Sequence, residues 1–309
     1  MKKIWKSLVA HVREDFNAKQ YGFAFLLVAV VLALNYTYDL NDIALKSKTG
    51  IAKFAAYFLF YSIPYYLTLL PVHYATKVRF FKSRTFWIKS LSGLALLSLD
   101  SSVPYLREWV MLAFEPGVQL WAYKVIVNLV GIFTIVIPLW IIHNKYDREN
   151  SLYYGLYPKR FDTRPYFQML LIMLPILVTA SFLPSFDKQY PMYRASEAHT
   201  LLGVPEWFTI LIYEFAYGFD FITVELLFRG FMVIGLAQIL GRHAVLSMAV
   251  IYCFLHTGKP LGEAMSSVFG GYILGVIAYE TKSIWGGVIV HVGIAWMMEM
   301  IGFGQAVIR

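Results

Sequence analysis

Residues 219–231 read F-D-F-I-T-V-E-L-L-F-R-G-F and lie inside an apolar run from Trp207 to Leu240. A run of that length exceeds the ~20 apolar residues needed to cross a ~30 Å hydrocarbon layer. It nevertheless carries Asp220, Glu225 and Arg229. An ionised side chain in mid-membrane costs ~2.5–3.5 kcal/mol on insertion scales, so such groups face a bundle interior and find partners. Glu225 and Arg229 are four residues apart, share one helix face and can pair. Glu214 precedes Glu225 by about three turns and projects from the same face if the helix is unbroken. The run is too long for one ordinary span, so it reads as a long tilted helix or as two helices broken near Gly218.

Outward from this stretch, further apolar runs occupy Tyr21–Tyr38, Ile51–Ala75, Phe86–Leu99, Leu120–His143, Tyr166–Phe186, His243–His256, Glu263–Tyr279 and Ile284–Phe303. The third of the chain's runs, Phe86–Leu99, is short and interrupted by Lys89 and Asp100. The pattern predicts an all-α, polytopic transmembrane helical bundle of roughly eight or nine spans. Composition agrees: 59% of the 309 residues are hydrophobic and 15% charged, against about 45–50% and about 25% in soluble domains. Four segments are expected: an amphipathic lead-in at 1–19, N-terminal transmembrane helices at 20–186, a polar loop at 187–205, and a C-terminal core at 206–309. No internal repeat is visible. The first apolar run has no small-residue cleavage site after it, so it reads as a retained helix.

The formal charge of +8 follows the positive-inside pattern. The lead-in and the segments Lys77–Lys89 and Lys145–Arg164 are basic. They alternate with acidic or mixed loops at Asp39–Lys48, Arg107–Glu115 and Asp187–Glu197. This puts the N-terminus in the cytoplasm. A nucleic-acid partner would need a basic face interleaved with aromatics on a soluble module. None is visible, so no nucleic acid is expected and the lipid bilayer is the expected surrounding. The single cysteine, Cys253, cannot form an internal disulfide and reads as a small buried residue.

Polar groups gather in the last third. His256 closes Y-C-F-L-H at 252–256, and His291 sits within W-G-G-V-I-V-H-V-G at 285–293. A lone membrane histidine is more often an interhelical hydrogen-bond residue. Two imidazoles on separate spans plus a glutamate on a third make the parts for activating a water: one group takes the proton and others hold the oxyanion. The same parts could hold a divalent metal such as zinc, although the helical H-E-x-x-H pattern is absent. Gly270, Gly271, Gly275, Gly286 and Gly287 let helix backbones approach, and Gly271–Gly275 is a small-xxx-small pair.

Taken in order, Glu225-Leu226-Leu227-Phe228-Arg229-Gly230, then Tyr252-Cys253-Phe254-Leu255-His256, then Gly271–Gly275 followed by Thr281-Lys282-Ser283-Ile284-Trp285 and His291, resemble the three membrane motifs of the CPBP family. That family comprises the CAAX proteases and the bacteriocin-processing or self-immunity proteins. The resemblance covers about Phe219–Met298. It implies an intramembrane endopeptidase that hydrolyses a peptide bond of a membrane-associated peptide or protein through a water activated by acid and histidine, in a multi-pass protein of a bacterial inner membrane. It implies Glu225, His256 and His291 as catalytic residues and Arg229 as the partner of Glu225; Tyr252 and Glu214 are separately expected as substrate contacts. If a metal such as zinc is used, His256, His291 and Glu225 would be its ligands.

The sequence departs from the family at two positions. Val224 stands where the family has its first glutamate, and Ala295 where it has asparagine. Tyr252 replaces a phenylalanine, and its hydroxyl adds a donor. Three consequences are open. Glu225 acts as base although it points about 100° away from Val224 on the helix. Asp220, one turn before Val224, replaces the lost acid. Or the core is a catalytically impaired scaffold or an immunity or partner-binding protein. A third class, a proton- or ion-coupled transporter using Glu225, Asp220, Glu214 and the histidines, predicts matched broken helices in both halves, and the first half has no matching acidic set. With nine spans, loop counting puts the Glu225/His256 end on the outer side, whereas CAAX processing uses cytoplasmic access.

Overall fold

A computed structural model describes residues 2–75, 79–149, 152–158, 161–193 and 197–308. Lys77, Lys159 and Arg160 of the expected basic loops, and Met1 of the lead-in, lie outside the described residues. Among the described residues the chain is all-helical, with no strand.

The lead-in forms α1 (Lys2–Asp15), which exposes Trp5 but buries His11 and Asp15. Asn17 caps α2 (Ala18–Tyr38) by accepting from the backbone N–H groups of Lys19 and Gln20, the preferred role of asparagine at a helix start. A π-helical turn (Asn41–Lys46) leads to α3 (Gly50–Ala75). Ser83 caps α4 (Arg84–Ser102) through the Phe86 N–H. Then come α5 (Leu106–Ala113), α6 (Pro116–Leu129), a π-helical segment (Ile132–Val136) and α7 (Ile137–Tyr146). α8 (Arg164–Ala180) precedes the short α9 (Pro184–Gln189) and α10 (Ala198–Leu201), which occupy parts of the expected polar loop. The C-terminal core consists of α11 (Glu206–Glu225), a π-helical segment (Leu226–Gly235), α12 (Ala237–Leu240), α13 (Ala244–Leu255), α14 (Leu261–Thr281) and α15 (Trp285–Ile308).

Among the described residues six helical stretches are long and apolar enough to cross a membrane: Ala18–Tyr38, Gly50–Ala75, Pro116–Tyr146, Glu206–Leu255, Leu261–Thr281 and Trp285–Ala306. The fourth is a hairpin. Gly241 takes a positive φ of 59°, and the Arg229 guanidinium meets the Tyr252 ring. Arg229 lies twelve residues before the Gly241–His243 turn and Tyr252 nine after it, so the chain reverses there. α8 is a shorter apolar helix. Large apolar side chains such as Phe25, Leu59, Leu171, Phe215 and Met300 are exposed, as a lipid-facing surface requires. The core of the molecule lies around the Leu226–Gly235 segment, every residue of which is buried, and α13, which packs on it.

Two expectations are corrected. α11 runs unbroken through Gly218. The glycine serves close approach, because a β-carbon there would press on the Trp296 indole of α15 at 2.9 Å. The helix changes character only at Leu226, where i→i+5 bonding takes over, as in Leu236 N–H to Phe231 C=O at 3.1 Å. Lys89 is neither a loop residue nor a break in its run. It is buried within α4, with Nζ 2.5 Å from Asp147 Oδ1 and 3.2 Å from the Gly235 carbonyl. The Tyr154 hydroxyl donates to the other Asp147 oxygen at 2.7 Å. A buried ammonium is tolerated when paired and hydrogen-bonded in this way.

Candidate active site

Glu225 ends α11 and Arg229 lies one turn later in the π-helical segment; both are fully buried. Arg229 Nη1 sits 3.0 Å from Glu225 Oε1, the i, i+4 pairing that makes both charges tolerable away from water. The same carboxylate oxygen lies 3.2 Å from Nδ1 of His291 on α15. Gly287, one turn before His291, permits this approach, because a β-carbon there would overlap the Glu225 carboxylate. On the far side of the imidazole, Nε2 is 3.1 Å from the Tyr252 hydroxyl of α13. Tyr252 is itself covered by Arg229, whose guanidinium carbon lies 4.2 Å from the ring centroid.

A carboxylate only accepts hydrogen bonds, so His291 Nδ1 is the donor toward Glu225. Nε2 of the neutral ring then accepts from the Tyr252 hydroxyl. His256 follows Tyr252 by one turn. Its Nδ1 lies 2.8 Å from the Tyr252 carbonyl and donates to it, which leaves the lone pair on Nε2. The Tyr252 and His256 ring centroids are 4.6 Å apart. Both imidazoles are partly exposed while Glu225 and Arg229 are sealed. The cluster therefore has a buried charged floor and an accessible imidazole rim. Phe221 flanks that rim, 4.2 Å from the His291 ring.

The remaining expected residues fall elsewhere. Asp220 accepts from Thr223 on its own helix, has the Asp100 carboxyl as an electrostatic neighbour, and is hydrogen-bonded to neither histidine. Glu214, about three turns from Glu225, lies beside the Glu299 carboxyl. Glu299 in turn accepts the backbone N–H groups of Met192 and Tyr193. Ala295 packs among Tyr193, Tyr213 and Tyr217, and Val224 against the main core.

The set Glu225, His256 and His291 is not gathered as metal ligands. Among the described residues no group of three or more His, Cys, Asp or Glu side chains is placed to hold an ion. The physical reason is that both His291 nitrogens and His256 Nδ1 are already engaged. Cys253 is buried, with its thiol on the Ala264 carbonyl at 3.3 Å.

Sequence reasoning missed the support behind His256. Asn35 Nδ2 donates to the Thr257 carbonyl at 2.8 Å, Asn41 Nδ2 to Thr257 Oγ1 at 3.0 Å, and the Tyr36 hydroxyl to the Lys259 carbonyl at 2.5 Å. A polar Asn35 inside an apolar run was the available signal.

Fold and site together define a multi-pass helical membrane protein with a polar, imidazole-bearing core in its C-terminal third. Residues 205–297 match the family model described as Type II CAAX prenyl endopeptidase Rce1-like. This stretch is an Rce1-like domain of the CPBP intramembrane protease kind. No curated protein and no solved structure matches the chain.

Proposed function

We propose that the protein is an intramembrane endopeptidase that hydrolyses a peptide bond of a membrane-associated substrate, with His256 as the base that activates water. The observation that carries this reading is the convergence of Glu225, Tyr252, His256 and His291 from three helices, with His256 Nδ1 held by the Tyr252 carbonyl. A fixed Nδ1–H keeps the Nε2 lone pair free to take a proton. The resulting hydroxide adds to the scissile carbonyl. The charge on Glu225, shared between Arg229 and His291, orients the His291 ring instead of removing the proton itself. Asp220 takes no part in this scheme. The lead-in and its basic neighbours are placed on the cytoplasmic side by the positive-inside rule.

A second reading, a non-cleaving partner-binding scaffold, is favoured by one observation. Val224 and Ala295, where the family carries glutamate and asparagine, both pack against apolar neighbours.

The test is to identify new protein N-termini in membranes of cells making the wild type or His256→Ala. Termini that vanish with His256→Ala support cleavage. Identical sets in both favour the scaffold.

A further inference from the structure

The Tyr252 hydroxyl has a placement that the scheme above leaves unexplained. A phenylalanine at this position would supply the same ring, so packing alone does not require the hydroxyl. Here the hydroxyl is the outer end of an ordered chain: Tyr252 O–H to His291 Nε2, then His291 Nδ1–H to Glu225 Oε1. A carboxylate, imidazole and hydroxyl in that order form the arrangement by which proteins move a hydroxyl proton. The Arg229 guanidinium lies over the ring face, where a fixed cation stabilises the charge left when that proton departs. Phe228 packs edge-on to the ring at 5.1 Å, and Gly271 gives it room, since a β-carbon there would press on Tyr252 Cδ1 at 2.8 Å. The hydroxyl stands on the same helix face as His256, one turn away. Ala295, one turn after His291 on α15, offers no side-chain donor.

We propose that Tyr252 is a catalytic residue of this site and gives its phenolic proton to the leaving amine nitrogen. The proposal rests on the endopeptidase reading above. His256 Nε2 removes a proton from water, and the hydroxide forms a C–O bond at the scissile carbonyl. Rotation about the Tyr252 Cζ–Oη bond then swings its hydrogen from His291 to the substrate nitrogen. As the tetrahedral intermediate collapses, the C–N bond breaks, its electron pair stays on nitrogen, and nitrogen takes the Tyr252 proton. The phenolate is left facing Arg229. The proton held on His256 returns to it, and the products are a carboxylic acid and an amine.

Tyr252→Phe isolates the hydroxyl. It keeps the ring against Arg229, Phe228 and His256, and it keeps the backbone carbonyl that holds His256 Nδ1. In the full-length protein reconstituted in liposomes, Tyr252→Phe should lower kcat about 10²–10⁴-fold, the usual contribution of a positioned proton donor, with KM nearly unchanged. Independently of cleavage, the ¹⁵N resonance of His291 Nε2 should move in Tyr252→Phe while that of Nδ1 stays. Wild-type rates in Tyr252→Phe overturn the proposal and leave the endopeptidase reading intact. An unmoved Nε2 resonance overturns it by showing that the hydrogen bond is absent. A wild type that cleaves nothing overturns both.

Discussion

Among the described residues Arg229 is the largest fully buried side chain, and Glu225 is the carboxylate paired with it, at 3.0 Å. Removing one partner of a buried pair typically costs about 3–5 kcal/mol, because the other charge stays buried uncompensated. Arg229→Met should therefore lower thermal stability in detergent by that amount, and adding Glu225→Gln should restore part of it. Gly287→Ala is expected to push the Glu225 carboxylate off His291. Overpacking of this kind costs about 1–3 kcal/mol, and the His291 Nδ1 resonance should shift toward that of a ring without a carboxylate partner. A Gly287→Ala protein with unaltered His291 resonances would contradict the geometry. The Glu225–Arg229 pair was legible from spacing alone, since four residues on a helix fix a shared face. The contact between Glu225 and His291 was not. It depends on how α11 and α15 pack, and a stretch of 66 sequence positions separates the two residues.

At the scale of elements, α1 is clasped to the core by titratable groups. His11 Nδ1 lies 3.5 Å from Glu280 Oε1 and its ring contacts Tyr272 and Tyr279. Asp15 meets His243 at 2.9 Å and Tyr21 at 2.7 Å, and Glu14 pairs with Arg242. Burial holds the His11 imidazole below its ordinary 6.5. Burial opposes ionisation of Asp15, but the hydrogen bonds from His243 and Tyr21 outweigh it and keep the carboxyl below its ordinary 3.8.

Both groups bind protons more readily when α1 is undocked, so docking is full above pH 6.5. It weakens as pH falls below that value through His11, and weakens again below pH 3.8 through Asp15. Hydrogen exchange of the α1 amides, corrected for intrinsic rates, should show protection lost between pH 7.5 and pH 5. His11→Gln should remove that dependence, and protection that is flat over this range would contradict it. All nine apolar runs of the sequence are helical in large part, but among the described residues six helical stretches are long and apolar enough to cross a membrane. Leu120–His143 joins α6, a π-helical segment and α7, and the runs at Phe86–Leu99 and Tyr166–Phe186 are not among the six. The hairpin at Gly241 was legible as two runs, whereas continuity through Gly218 was not. A glycine inside an apolar run reads equally as a break or as a place for a neighbour, and only the Trp296 indole on α15 distinguishes the two.

For the whole molecule, the N-terminal helices hold the turn that carries His256 even though the family match begins only at residue 205. Asn35 and Asn41 reach Thr257 from α2 and the π-helical turn after it. Asn35→Ala leaves a buried carbonyl without its donor, at a cost of about 1–3 kcal/mol. It should slow cleavage and loosen the His256 turn without touching Glu225, Tyr252 or His291. Unchanged cleavage together with unchanged protection of residues 255–259 would contradict that coupling. The membrane class and the C-terminal position of the candidate site were plain in composition and motif order. The dependence of the site on the first half was not, because side chains separated by more than 200 residues meet only once the bundle has packed.

The decisive measurement is turnover of a membrane-embedded peptide by the purified full-length protein in liposomes, compared across the wild type, His256→Ala and Glu225→Gln. Cleavage by the wild type that His256→Ala abolishes and Glu225→Gln strongly reduces is the expected result. Equal product yields from all three proteins would contradict proteolysis by this constellation.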